Sequence, residues 1–274
     1  MKYGEIIIKN GPHTEYHENG KIKLKCYYEN NKLNGPYESY RSDGKISCKS
    51  NYKNGELHGA RELYYENGQL HCKSNYENNK FNGQHEEYYM DGQLSCKSNY
   101  KNDELHGPYE SYHKNGQLYC RTNYENDKRN GHYESYYEDG KLNYKSNYKN
   151  GESHGTCESY HENGKLKFIV NYENDELHGP YESYHKNGQL HCRTNYENDK
   201  RNGHYESYYE DGKLNCKSNY KNDELHGQYE SYHENGKLDC KANYENGKRN
   251  GPYESYNRDG KLIHLLNFEN GVEI

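Results

Sequence analysis

Tryptophan is missing from this 274-residue chain, methionine occurs twice, phenylalanine three times and proline five times. Only 29% of the residues are hydrophobic and tyrosine alone accounts for 36 of them, so aliphatics are too few for the core of an ordinary two-layer domain of this length. That weighs against a conventional enzyme fold. No run approaches the roughly 18 apolar residues of a membrane-spanning helix, and the cluster Ile6, Ile7, Ile8 is also too short for a signal-peptide core. No Asn-x-Ser/Thr acceptor occurs and the nine cysteines are an odd number, which fits a reducing compartment and predicts a cytoplasmic protein. A basic surplus is lacking too: 37 Lys+Arg against 43 Asp+Glu leave a formal charge of −6. The electrostatic footprint of a nucleic-acid binder is therefore absent, and the same deficit weighs against membrane association through anionic lipid. Disordered chains share the shortage of aliphatics but are also poor in aromatics; this one is 14% aromatic.

What is present is a repeat. Glycine recurs every 24 residues from Gly11 to Gly251, and a second glycine follows each by nine, from Gly20 to Gly260. Eleven copies run in phase without insertion or deletion. The unit reads Gly-Pro-Tyr-Glu-Ser-Tyr-x-x-Asn/Asp-Gly-Lys-Leu-x-Cys-Lys-Ser-Asn-Tyr-x-Asn, then four variable residues. The Asn-Gly or Asp-Gly pair, as at Asn19-Gly20 and Asp43-Gly44, predicts a tight type I′ hairpin turn with positive φ at both residues. A second polar turn is expected at Asn30, Asn54 and their equivalents. Two strands per repeat follow, about 22 in all. Strand two alternates Ile46, Cys48, Ser50, Tyr52 with Lys and Asn, which gives one buried and one wet face. In strand one Glu38 and Tyr40 share parity, which predicts either a bulge or a partly solvated face.

The run Asn51-Tyr-Lys-Asn-Gly-Glu-Leu-His-Gly59, with its copies ending at Gly83 and Gly251, resembles the core of the MORN (membrane occupation and recognition nexus) repeat. The Tyr-Tyr-x-Asn-Gly-Lys-Leu segment is similar to the variant found in tandem arrays in bacteria, including proteins labelled as antitoxins, and in large DNA viruses; a viral source would place the protein in the host cytoplasm. The resemblance implies an elongated antiparallel β-meander, with roles in lipid binding, protein interaction and self-association. The chain departs from the usual pattern in having Cys48 where an aromatic is common, and no Trp.

The cysteine column carries no metal or disulfide chemistry on spacing grounds. Equivalent residues lie two strands apart, roughly 9 to 10 Å, beyond the ~7 Å between Cα atoms of a disulfide and the ~4 Å between thiolates on one zinc. They read as small core hydrophobes. The histidines cluster at the repeat junction (His58, His106, His154, His178, His226) and after the strand-one tyrosine (His17, His113, His161, His185, His233), alternating with Asn or Tyr as tolerant turn positions do. No catalytic set, metal ligands or cofactor loop can be nominated. The tyrosine columns read as a core ladder, each ring packing on the next repeat's.

Residues 102–150 and 174–222 differ only at Tyr119 against His191 and Tyr144 against Cys216, the mark of a 72-residue duplication. Apolar residues gather at Ile6–Ile8, at Phe168, Ile169 and Val170, and from Leu262 to Ile274. The expectation is an all-β fold: an elongated, solenoid-like, single-layer antiparallel β-meander of tandem 24-residue hairpins, near 22 strands × 4.8 Å or about 100 Å long. Residues 1–10 would form an N-terminal cap, 11–271 the eleven repeats and 272–274 a tail. The function expected is a non-catalytic scaffold for a protein partner or for self-association, with peripheral phospholipid or glycan binding as the alternative. Candidate contact residues are Phe168, Ile169, Val170, Leu265 and Leu266, with Ile169 expected to point outward.

Overall fold

The computed structural model describes residues 9–274, so the predicted cluster Ile6–Ile8 and most of the cap lie outside the described residues. Those residues are all-β, in antiparallel hairpins repeated every 24 residues. Contacts group them into two units, one running to Gly131 with Glu138–Gly140, the other comprising His132–Tyr137 and Lys141–Ile274. Within each unit the chain forms a single-layer meander. In the first, Gly11–Tyr16 pairs with Ile22–Glu29, which pairs with Lys32–Tyr40, which pairs with Ile46–Lys53, and so onward. Among the described residues the strands number 29 rather than 22, because six two-residue stubs, such as Glu104–Leu105 before Gly107–Tyr112, are set off by a break and a seventh, Val272–Glu273, follows the last repeat.

The two turns exchange the roles expected of them. Two consecutive positive φ angles fall at the second turn, at Asn30 (49°) and Asn31 (65°) and at Asn54 (52°) and Gly55 (90°), where Glu29 pairs with Lys32 and Lys53 with Glu56 across a two-residue loop. That is the type I′ site. At the Asn-Gly pair only glycine has positive φ, 79° at Gly20. There the Gly20 amide donates to the His17 carbonyl at 2.9 Å and the His17 amide to Lys21 at 2.8 Å, a three-residue loop built as a type I turn closed by a left-handed glycine. The dipeptide alone does not distinguish these loops; the number of residues between the paired strands does.

The junction glycine makes a corner. Opposite Asn51 the register jumps from Ser50↔Arg61 to Tyr52↔Leu57, and Gly59 sits at φ 95°. The Asn51 side chain packs where a Cβ on Gly59 would stand, 3.8 Å away, as Asn75 does over Gly83 at 3.4 Å. This contact pairs an Asn column kept in ten repeats with a Gly column kept in eleven.

The core is thin. Strand two buries Ser50, Ser74 and Ser98 to 5% exposure or less, with Ile46, Cys48 and Tyr52 half-buried beside them. Each small residue lies opposite a ring or long side chain, Ser50 opposite Tyr37 and Thr122 opposite Tyr109, and the ring then meets Tyr52 or Tyr124 edge-on at 5.6 and 5.7 Å. The tyrosine ladder is thus closed within each hairpin. Between repeats another side chain intercalates: Phe81 lies 4.5 Å from the Tyr76 ring and 5.2 Å from Tyr100, and Arg201 takes the equivalent place 4.0 Å over Tyr220. At four of these positions the small residue serves by its size and not its hydroxyl, since the Oγ atoms of Thr122, Ser146, Thr194 and Ser218 are buried without a partner. The tenth repeat places Ala242 there, 3% exposed. Ser218→Ala should therefore leave stability unchanged or raise it by up to about 1 kcal/mol, because a desolvated hydroxyl is removed; a loss of midpoint in urea unfolding would contradict this.

A longer period overlies the 24-residue one. Across the type I′ turn Glu faces Lys in one hairpin and Lys faces Glu in the next: Glu29↔Lys32, Lys53↔Glu56, Glu77↔Lys80, Lys101↔Glu104. The period is two repeats, so a duplication of three must break its phase. It does so at Glu173↔Glu176, where like charges stand directly opposite.

Candidate interaction surface

The face of the sheet opposite the core carries a repeated polar unit. A register slip between Ser39 and Tyr40 is the bulge that the shared parity of Glu38 and Tyr40 left open. It brings the Tyr40 hydroxyl to donate to Glu38 Oε2 at 2.5 Å; Tyr64 donates to Glu62 at 2.6 Å, Tyr112 to Glu110 at 2.6 Å and Tyr184 to Glu182 at 2.5 Å. The pair occurs in ten repeats and fails in the first, where Thr14 replaces Glu and Tyr16 is 62% exposed. Lysine or arginine from strand two lies in register between successive carboxylates, as Lys49 does between Glu38 and Glu62. Lys145 reaches Glu158 at 2.9 Å, Arg193 reaches Glu206 at 2.6 Å and Lys217 reaches Glu230 at 2.8 Å. Lys25 and Lys49 place their ammonium groups 5.9 and 5.8 Å over the rings of Tyr40 and Tyr64.

This packing shifts titrations in physically consistent directions. The bond from Tyr40 to the Glu38 carboxylate, and then burial, push the Tyr40 phenol up to about 12. The bonds from Lys217 and Tyr232 hold Glu230 below the usual carboxylate range. Burial would raise Glu206, but bonds from Tyr208, His204 and Arg193 outweigh it and hold that carboxyl at about 2. Across the neutral range the carboxylates are therefore ionised and the phenol stays protonated as a hydrogen-bond donor.

The hairpin tips are clamped to one another. The ring of His17 bonds the Tyr40 carbonyl at 2.9 Å, Tyr65 Oη donates to Tyr88 at 2.7 Å and His185 bonds Tyr208 at 2.9 Å, while Asn19 Nδ2 donates to the Ser42 carbonyl at 2.7 Å. The shallow groove among Arg41, Tyr65, His71 and Met90 is bounded by such clamps, since Arg41 donates to the carbonyls of Tyr64 and Tyr65 at 2.6 and 2.8 Å. At the junction the His106 amide donates to the Asn99 carbonyl at 2.8 Å, and the Nδ1 atoms of His58, His106 and His226 are buried without a partner. All nine cysteines are free, and all are buried or half-buried.

The five candidate residues separate. Val170 is 2% exposed and presents no surface. Phe168 is half-buried in the core, its ring stacked 6.4 Å from Tyr181. Ile169 lies in the cation column of the outer face, in register with Glu158 and Glu182. Leu265 is 65% exposed and Leu266 half-buried on the strand Leu262–Glu269, where Leu262 and Ile263 are also exposed. The Glu–Tyr–cation unit itself was not anticipated; its signal was the fixed spacing of Glu38, Tyr40 and Lys49 in one repeat after another.

A family model described as a MORN repeat variant matches eleven successive segments, from residues 9–31 and 33–54 to 225–246 and 249–270. Among curated proteins none matches. Of solved structures, a complex of TcdB2, TccC3 and Cdc42 is similar at 11% identity over 94% of this chain with a TM-score of 0.22. The chain spans about a sixth of that one's length, covering 17% of it. A porin-like protein from Bacteroides uniformis is similar at 9% identity over 82% of this chain and 91% of its own, with a TM-score of 0.19.

Proposed function

Because the chain belongs to the MORN repeat variant family, we propose that it is a non-catalytic repeat scaffold whose outer face contacts a protein partner or further copies of itself. The observation carrying this reading is the Glu–Tyr–cation unit. The Glu–Tyr pair is presented ten times at a fixed interval, nine of them with a lysine or arginine, so contacts that are individually weak add through multivalency. The side chains of His17, Tyr65 and His185 are committed to clamps between repeats, and the cysteines are buried or half-buried. Flotation with vesicles of graded anionic content tests the reading against peripheral membrane binding. A scaffold with net charge −6 should stay in the soluble fraction at every composition. Salt-sensitive capture by anionic vesicles would defeat the proposal and establish the lipid alternative.

A further inference from the structure

The cation column of the outer face runs from Lys25 to Lys241 at 24-residue spacing and is broken once, by Ile169. What occupies the position elsewhere is visible in the neighbouring repeats. Lys217, in register with Glu206 and Glu230, reaches Glu230 at 2.8 Å. Arg193 reaches Glu206 at 2.6 Å. Lys49 stands 5.8 Å over the ring of Tyr64. In each case the cation reaches forward to the Glu–Tyr pair of the next repeat. By that geometry the pair that no cation reaches from the preceding hairpin is Glu182–Tyr184, which faces Ile169 in register, with Glu158 on the other side; Arg193, across from Glu182 in its own hairpin, bonds Glu206. The position has an aliphatic floor, the Glu182 carboxylate and the Tyr184 ring, with Glu158 on the other side already held by Lys145 at 2.9 Å. Nine sibling positions hold a lysine or arginine in the same frame.

A second change in this repeat acts in the same direction. The Lys expected opposite Glu173 is Glu176, and Glu173 shares a side of its strand with Ile169 by the two-residue period of the pleat. The two departures lie four residues apart along one strand, roughly 13 Å. We propose that the seventh repeat is a docking site for an extended segment of a protein partner carrying two lysines at that separation, one ammonium meeting Glu182 and Tyr184 over Ile169 and the other meeting Glu173 and Glu176. The inference rests on the scaffold reading and names the partner's chemistry. Charge complementarity selects the partner, and the array itself supplies the bound geometry.

The experiment uses the full chain and a five-residue peptide, Lys-Ser-Thr-Ser-Lys, compared with the same peptide acetylated on both lysines, with binding followed by chemical-shift changes of the Glu182 and Tyr184 signals. The unmodified peptide should shift them and the acetylated peptide should not. Ile169→Lys combined with Glu176→Lys restores the pattern of the other repeats, and should weaken binding by about tenfold or more while raising the thermal midpoint, which separates loss of the site from loss of fold. Glu18→Lys with Glu66→Gln adds the same charge at distant exposed positions and should leave binding intact. Equal binding of the acetylated peptide, or equal weakening by the distant pair, would mean general attraction to an acidic chain and would overturn the site. The scaffold reading would survive that outcome, since it falls only to vesicle capture.

Discussion

Cys157→Tyr should destabilise the chain by about 1–3 kcal/mol, the usual cost of forcing extra volume into a packed core, even though tyrosine is the commonest residue of that column. Cys157 is 1% exposed and lies opposite Val170, itself 2% exposed. The strands on either side carry bulky residues where cysteine is usual, Tyr144 and Phe168, both in register with Ser159. Large and small have changed places, and the Tyr144 hydroxyl bonds the Cys157 thiol. The sister repeat has the ordinary arrangement, Tyr229 between Cys216 and Cys240. Tyr144→Cys alone should also cost about 1–3 kcal/mol, through the space it opens. The double substitution should recover most of the loss, a coupling of about 0.5–3 kcal/mol. Urea unfolding of the four proteins measures it; additive losses would show that the exchange of sizes is incidental.

Alkaline unfolding should be steep between about pH 10 and 12. Tyr40 and Tyr184 are pushed up to about 12, first by the bond to Glu38 or Glu182 and then by burial. Tyr88 and Tyr112 reach about 12 as well, first by burial and then by Glu86 and Glu110. A phenol whose folded pKa exceeds its unfolded value near 10 stays protonated in the native state while the unfolded chain ionises. Its contribution is fully present below about pH 10 and is lost as pH climbs toward 12. Four such groups, in the second, fourth, fifth and eighth repeats, lose their contribution over the same range, so tyrosinate absorbance should rise in step with the loss of β circular dichroism. Glu→Gln at positions 38, 86, 110 and 182 keeps an acceptor but removes the repelling charge, which lowers the folded phenol pKa and should move the transition to higher pH. A transition unmoved by those variants would mean that lysine deprotonation, not the Tyr–Glu pairs, controls alkaline stability.

Much of this protein is written in short-range chemistry. Positive φ demands Gly, Asn or Asp, alternating polarity demands a strand, and a 24-residue interval repeated eleven times demands a meander. Repeat length, two main strands per repeat and the wet and buried sides of strand two all follow from these. The turn assignment did not follow: Asn-Gly suits both loops, and strand pairing alone sets one loop at two residues and the other at three. The outer face was legible only in part. Glu38, Tyr40 and Lys49 sit close in sequence, but their union depends on a bulge that slips the register and on a neighbour strand that brings in the cation.

The triplet Phe168-Ile169-Val170 marks that boundary most plainly. As an apolar run it reads as one patch, yet the pleat sends Phe168 and Val170 inward and Ile169 outward. Two of the three are core replacements matched to Cys157 and Tyr144 across the sheet, and the third is a missing cation. Composition and periodicity are sums over local preferences, so they establish the repeat unit and its two faces. Which partner each side chain meets is decided by contacts 11 to 24 residues away, and those exist only once the hairpins are laid side by side.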